Sequence, residues 1–262
     1  MRITLVISTL GAGGAERVMT LMANYWAEQG YKLTLITIDS ADRDFYPVHH
    51  DVRRIGLGLL GKSSSFQQAI VGNVRRVIGL RRAIRETKPD VVVSFIEKTN
   101  ILALLSTMRL SVPVIVSERI DPRYHDVERL WSFLRWVVYR KAAALVVQTN
   151  GLRTWAERFV DRRAVYVISN PLMHQSSEGA KAKEEAGIER TVVAMGRLVT
   201  QKGLDILINA FAHCAAKHHE WNLIIIGEGP ERKRLEEIAD YLNIGSRVRF
   251  TGRLRNPLKI LN

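Results

Sequence analysis

The sequence predicts an α/β fold of the open, doubly wound, parallel type, laid down in two successive sets, and three observations carry that reading. Short, nearly unbroken apolar runs recur along the chain, as strands buried on both faces require. Stretches with apolar residues at helical spacing stand between them. Glycine- or proline-bearing turns mark many of the junctions, and strands alternating with helices build a parallel sheet covered on both sides.

The elements follow in order. Ile3–Ser8 is the first buried strand. From Ala15 to Gln29, Val18, Leu21, Met22, Tyr25 and Trp26 lie on one helical face, and Gly30 stands where a C-terminal cap belongs. Tyr31–Ile38 is the next strand, which makes the opening a βαβ unit. Met1-Arg2 ahead of an apolar run also resembles a short signal peptide, but the pattern runs straight on into an amphipathic helix. Phe66–Thr87 is helical and closes at Lys88-Pro89-Asp90, before the strand Val91–Phe95. Asn100–Leu110 is read as a helix, Val112–Ser117 as a strand, Glu128–Lys141 as a helix and Ala144–Gln148 as a strand. A short helix over Leu152–Val160 leads to the strand Val165–Ile168.

Asn170-Pro171 ends the first set, residues 1–172, and the polar segment 173–190 reads as a linker. The second set, residues 191–262, has strand Val192–Met195, helix Leu204–Lys217, strand Leu223–Ile226, helix Glu231–Leu242 and strand Val248–Thr251. Doubly wound domains usually hold five or six strands. The second set is therefore expected to be incomplete, and the chain to be part of a longer protein.

Composition narrows the function classes. The 262 residues are 47% hydrophobic and 25% charged, which excludes a disordered or fibrous chain. A single cysteine, Cys214, excludes an internal disulfide and fits a reducing compartment. No apolar stretch reaches the ~20 residues of a membrane-spanning helix. The net charge is +13, and residues 1–172 hold 25 Lys and Arg against 15 Asp and Glu. Such a surface attracts polyanions. Nucleic acid is not expected, because no aromatic-interleaved basic motif accompanies the charge.

Three loops carry anion-binding chemistry. Gly11-Ala12-Gly13-Gly14-Ala15-Glu16 joins the first strand to the first helix, where glycines let backbone approach a ligand and the helix end favours an anion. As a dinucleotide fingerprint, with Asp39 as ribose ligand, it fails at its third glycine, because Glu16 stands there. A tight turn without a ligand stands as the structural alternative. Gly196-Arg197-Leu198-Val199-Thr200-Gln201-Lys202-Gly203 follows the first strand of the second set. An arginine that grips two oxygens and a mobile ammonium suit a diphosphate there. Gly227-Glu228-Gly229-Pro230 follows the next strand, and such loops line the ligand crevice of open α/β sheets.

Gly196-Arg197 with Lys202-Gly203-Leu204-Asp205, then Gly227-Glu228-Gly229-Pro230, then Phe250-Thr251-Gly252, resemble the ordered motifs of family 4 nucleotide-sugar glycosyltransferases. Gly11–Glu16 is similar to their first-domain glycine loop. The resemblance covers the whole chain. It implies a GT-B architecture, two Rossmann-like doubly wound parallel sheets with the second incomplete here. It also implies sugar transfer from a nucleotide-sugar donor, a UDP-sugar above all, with retention of configuration and no cofactor or metal requirement. In that family the residues matching Arg197 and Lys202 hold the donor diphosphate, which places those two as catalytic. Gly196, Gly203, Gly227, Glu228, Gly229 and Pro230 then become donor-binding. The family carries a Glu-x7-Glu segment further along its second domain, in contact with donor ribose and sugar, and this sequence is expected to end before it, so this chain alone is expected to transfer sugar poorly or not at all. His49-His50 and His218-His219 read as surface pairs. A GT-B epimerase and a non-catalytic remnant binding nucleotide or lipid stand as alternatives.

The first set suggests the acceptor. Ser117-Glu118-Arg119-Ile120-Asp121-Pro122 resembles a stretch of family members that extend lipid-linked bacterial oligosaccharides, N-acetylgalactosamine transferases among them. Glu118, Arg119 and Asp121, with Gly11, Gly13 and Gly14, are the acceptor-side candidates. A salt-bridged turn between Glu118 and Arg119 is the structural alternative. The helix Phe66–Thr87 and its flanks carry Arg75, Arg76, Arg81, Arg82 and Arg85 with Lys62 and Lys88 against Glu86. Arg75, Arg81, Arg82 and Arg85 are candidates for a lipid diphosphate at an anionic membrane surface, a solvated basic face being the alternative. Peripheral attachment to the cytoplasmic face of the inner membrane follows. The helix with Trp131, Phe133, Leu134, Trp136, Val137 and Val138 is apolar nearly all round and is expected to be buried, with a shallow membrane contact by Trp131 or Trp136 as the other reading.

Overall fold

The computed structural model describes residues 1–61, 65–122, 128–171 and 190–254. The chain divides into two compact units, Met1–Leu172 and Met173–Asn262. The expected linker 173–190 lies, but for Arg190, outside the described residues.

The first unit runs β1 (Arg2–Ile7), α1 (Gly14–Glu28), β2 (Lys32–Thr37), β3 (Arg53–Gly56), α2 (Phe66–Thr87), β4 (Val91–Phe95), α3 (Glu97–Thr107), β5 (Val114–Ser117), α4 (Arg129–Val138), β6 (Ala144–Val147), α5 (Asn150–Ala156) and β7 (Val165–Val167). Its seven strands form one parallel sheet in the order β3-β2-β1-β4-β5-β6-β7. Successive strand residues face opposite sides, and each side has its own core. Leu5 and Ile7 pack with Leu35, Phe95 and Met19 of α1. Val6 joins Val92, Val116 and Leu145 under Leu80 and Ile84 of α2, Ile101 of α3 and Val138 of α4. Burying a side chain of this kind contributes roughly 1.5–3 kcal/mol.

The second unit runs β8 (Thr191–Met195), α6 (Leu204–Ala215), β9 (Asn222–Ile226), α7 (Arg232–Tyr241) and β10 (Val248–Gly252). Its strands pair in parallel in the order β10-β9-β8. Leu204, Ile208 and Phe211 of α6 and Leu235 of α7 cover Leu223 and Ile225.

Strand β3 is absent from the sequence reading, for a physical reason. Arg53-Arg54-Ile55-Gly56 has no apolar alternation. It is held at the sheet edge by the Arg54 guanidinium, which donates to both Asp44 carboxylate oxygens at 2.7 and 2.8 Å. Helix α3 also starts at Glu97, earlier than the expected Asn100. The chain turns there at Ile96, whose φ is +73°. That is unusual for a β-branched residue and costs on the order of 1–3 kcal/mol.

Candidate functional site

In the second unit the three glycine-bearing loops meet at the carboxyl edge of the sheet. Gly196 N–H donates to Ile226 O, Leu198 N–H to Glu228 O and Gly227 N–H to Gly252 O, at 2.9, 3.1 and 2.9 Å. Gly227 sits at φ +149°, and a Cβ there would lie 1.8 Å from Gly196 O. A Cβ on Gly229 would lie 2.2 Å from Leu198 O. Only bare backbone lets these loops touch. Gly203 is left-handed, φ +61°, and opens α6 without a side-chain cap, so the first-turn N–H groups of α6 remain available to an anion. The stem of Lys202 passes Gly196, with Cδ 3.6 Å from where a Cβ would sit. Arg197 and Lys202 are both exposed. The Glu228 carboxylate instead accepts from Arg232 Nη1 at 2.8 Å, which holds it between its own loop and α7.

In the first unit the acceptor-side candidates separate. The loop from Gly11 to Gly13 links β1 to α1, and Gly14 is already the first residue of α1. Gly13 N–H donates to Gly11 O at 2.8 Å, and Gly13 O accepts from Arg17 N–H at 3.0 Å. The Glu16 carboxylate folds back over Gly13. Glu118 and Arg119 do not form the salt-bridged turn. Glu118 is 2% exposed and accepts from the Tyr139 hydroxyl at 2.5 Å. Arg119 lays its guanidinium over the Phe95 ring, 3.7 Å from the centroid, and donates to Asn170 Oδ1 at 2.8 Å. Asp121 is half-buried.

Glu118 belongs to a buried polar group that the sequence reading missed. Asn100 Nδ2 donates to Ser117 O and to the Tyr139 hydroxyl, at 3.0 and 3.2 Å. Arg135 Nη1 stands 3.3 Å from Glu97 Oε2, both side chains 9% exposed. Glu118 directly follows β5 and Glu97 follows β4 after one residue, Ile96, and that position just past a strand was the available signal. They border a cavity of ≈ 370 Å³ that Arg76, Lys98, Arg119 and Trp131 also line, within the ~300–1,000 Å³ of small-molecule sites.

Burial pushes the Glu118 carboxyl up to about 7, against the ordinary 4.5, even though the Tyr139 hydroxyl and Arg135 oppose the rise. Burial also lowers Arg119 to about 10. The folded chain thus holds a proton on Glu118 that the unfolded chain releases between 4.5 and about 7. Its contribution to stability is full below that window and is lost as pH rises through it. The wild-type protein is expected to lose on the order of 3 kcal/mol from this source between about pH 4 and pH 8. Glu118→Gln should abolish that slope in urea unfolding across the range; an unchanged slope would refute the assignment.

Arg75, Arg82 and Arg85 are exposed on α2, as a surface role requires. Arg81 is a correction. Its Nη1 donates to Ser106 O and Met108 O at 2.9 and 2.7 Å, so that it caps the end of α3 and, unlike Arg75, Arg82 and Arg85, is half-buried. Arg76 is likewise tied down, donating to Leu59 O and Gly61 O at 3.1 Å each. Among the described residues one group has metal-ligand geometry, His49, His50 and Asp51, with ligand atoms within 4.8 Å of one another. It lies at the amino end of β3, the sheet edge opposite the cavity. No helix among the described residues is long and apolar enough to cross a membrane.

Comparison with known proteins agrees with this geometry. Residues 13–171 match the glycosyl transferase 4-like domain and residues 177–262 the glycosyl transferases group 1 family. The chain is 30% identical over 257 residues, 98% of its length and 69% of the relative's, to a Campylobacter jejuni enzyme, the GalNAc-alpha-(1->4)-GalNAc-alpha-(1->3)-diNAcBac-PP-undecaprenol alpha-1,4-N-acetyl-D-galactosaminyltransferase. It is 26% identical over 252 residues to a lipopolysaccharide core biosynthesis glycosyltransferase of Rhizobium meliloti, covering 92% of this chain and 64% of that one. The crystal structure of Anabaena HepE in complex with UDP-glucose superposes with a TM-score of 0.69 at 16% identity, over 97% of this chain and 69% of that one. The glycine loops, the parallel sheets and these matches make the chain a member of the glycosyltransferases of GT-B fold, with a glycosyl transferase 4-like first unit and a group 1 second unit.

Proposed function

We propose that the protein transfers a sugar from a nucleotide-sugar donor, a UDP-sugar, to a lipid-linked or polysaccharide acceptor with retention of configuration. The observation that carries the reading is the pair of exposed cations, Arg197 and Lys202, on glycine loops fused at the carboxyl edge of the second sheet. As the bond from the sugar's anomeric carbon to the diphosphate breaks, negative charge grows on the departing phosphate. A guanidinium, an ammonium and the N-terminus of α6 stabilise that charge where it develops. The acceptor hydroxyl oxygen bonds to the same carbon and its proton leaves with the diphosphate. This chemistry asks for no metal, because the protein's own cations supply the positive charge. Gly196, Gly203 and Gly227 to Pro230 shape the donor loops. The cavity bordered by Glu118 and Arg119, with the Gly11–Gly14 loop and Asp121 nearby in sequence or at the same sheet edge, receives the acceptor.

The lipid-linked acceptor is supported by the Campylobacter relative, whose substrate is an undecaprenol diphosphate glycan. UDP is supported by the HepE complex. Arg75, Arg82 and Arg85 on α2 then face anionic lipid on the cytoplasmic side of the membrane, where nucleotide sugars are available, and attachment is peripheral. Calorimetry with UDP tests the donor site. Wild-type protein is expected to bind, and Arg197→Ala with Lys202→Ala to weaken binding at least about thirty-fold, since each charge-assisted bond contributes ~1.5–3 kcal/mol. Equal affinities would overturn the reading.

A further inference from the structure

Helix α4 does not bury its apolar residues all round. Trp131 and Val138 are buried, but Leu130, Phe133, Trp136 and Val137 are 47%, 60%, 49% and 39% exposed. The spacing puts those four on the solvent-facing stripe, where a helix of a soluble protein carries polar residues. The expectation of a core helix is thereby corrected: α4 has an exposed aromatic face.

Cations surround that face. Arg129, Arg140 and Lys141 are exposed, and the Arg140 guanidinium stacks on Trp136, 4.1 Å from the ring centroid. No Asp or Glu occurs from residue 129 to residue 156. Helix α2, which flanks α3 from the other side, repeats the combination. Ile70, Val71, Val74 and Ile78 are 46%, 49%, 52% and 62% exposed beside Arg75, Arg82 and Arg85, and no carboxylate occurs from residue 66 to residue 85. Residues of α2, α3 and α4 together line the ≈ 370 Å³ cavity.

We propose that the exposed face of α4 is an interfacial anchor that inserts Phe133 and Trp136 into the headgroup region of an anionic bilayer, with α2 as a second, more electrostatic contact. Aromatic side chains flanked by Arg and Lys suit that layer, where the rings are half desolvated and the cations meet lipid phosphates. The charge decides between occupants. A second copy of this chain would bring +13 to a face that is already cationic, whereas an anionic surface neutralises it. The inference extends the proposed transferase reading, because docking on these helices would hold the cavity they line beside lipid-borne substrates. It does not depend on that reading.

The test is co-sedimentation of the full chain with vesicles of equal parts phosphatidylglycerol and phosphatidylcholine, and with phosphatidylcholine alone. The wild type is expected to prefer the anionic vesicles. Phe133→Ser with Trp136→Ser is expected to lower that partition at least about ten-fold, from the apolar area withdrawn, with UDP affinity and circular dichroism unchanged. Arg82→Glu with Arg85→Glu should lower it mainly at low salt. Trp131 is buried and Trp26, Trp155 and Trp221 are half-buried, so Trp136→Phe should reduce quenching of tryptophan emission by bromine-labelled acyl chains. Partition of the serine variant equal to wild type overturns the proposal, as does a wild type that ignores anionic vesicles. Conversion of a wild-type dimer to a monomer without a change in partition overturns it too, in favour of a self-association face. Loss of UDP binding alone would sink the transferase reading and leave the vesicle result standing.

Discussion

Gly227→Ala is expected to unfold the donor loops and to abolish UDP binding together. The added methyl would have to occupy a point 1.8 Å from Gly196 O, on a residue already at φ +149°. Neither neighbour is a flexible side-chain tip, because the obstruction is the backbone of the β8 loop itself. Relief requires breaking the Gly227 to Gly252 or the Gly196 to Ile226 hydrogen bond, and both join strands of the same sheet. A loss of about 3 kcal/mol or more follows from the clash and the positive φ combined. Gly229→Ala should behave similarly, its Cβ meeting Leu198 O at 2.2 Å. Gly14→Ala is the contrast, since nothing lies within 4 Å of the added atom. At the start of α1 it should be neutral or stabilising by a few tenths of a kcal/mol. Urea unfolding of the three variants, read beside UDP calorimetry, checks the ranking; a Gly227→Ala protein as stable as wild type would contradict it.

Arg135→Met is expected to cost about 3–5 kcal/mol, because it takes the buried Arg135 cation away from the buried Glu97 carboxylate. Glu97 sits 3.3 Å from Arg135 Nη1, and the same guanidinium lowers the Glu118 carboxyl against the pull of burial. With the charge gone, the Glu118 titration should move above 7, and its pH-dependent loss of stability should move upward with it. Adding Glu97→Gln to Arg135→Met should recover part of the loss, since a neutral amide removes one stranded charge. The exposed Arg85→Ala should stay within about 0.5 kcal/mol of wild type. Unfolding curves at several pH values separate these outcomes. An Arg135→Met protein within about 1 kcal/mol of wild type would show that the buried group does not depend on the guanidinium.

Much of the architecture was readable because it is written in local periodicity. Phe66–Thr87 and Val91–Phe95 fall where their apolar spacing and the Lys88-Pro89 break put them. The donor loops were readable for a different reason, since backbone contact admits only glycine and the spacing of Gly196, Gly203, Gly227 and Gly229 records that requirement. Edge strand β3 was not readable, because an arginine fork replaces the apolar alternation that marks a strand.

The sequence by itself determined the two sets of strands and helices, the glycine loops with Arg197 and Lys202 among them, and the excess of positive charge. Tertiary structure decided which side chains meet: Tyr139 on Glu118 across 21 residues, Arg81 on the end of α3 rather than in solution, and the outward face of α4. Burial and partnership are properties of how elements pack against one another. A helix whose residues are apolar on every side has no preferred face until its neighbours cover one.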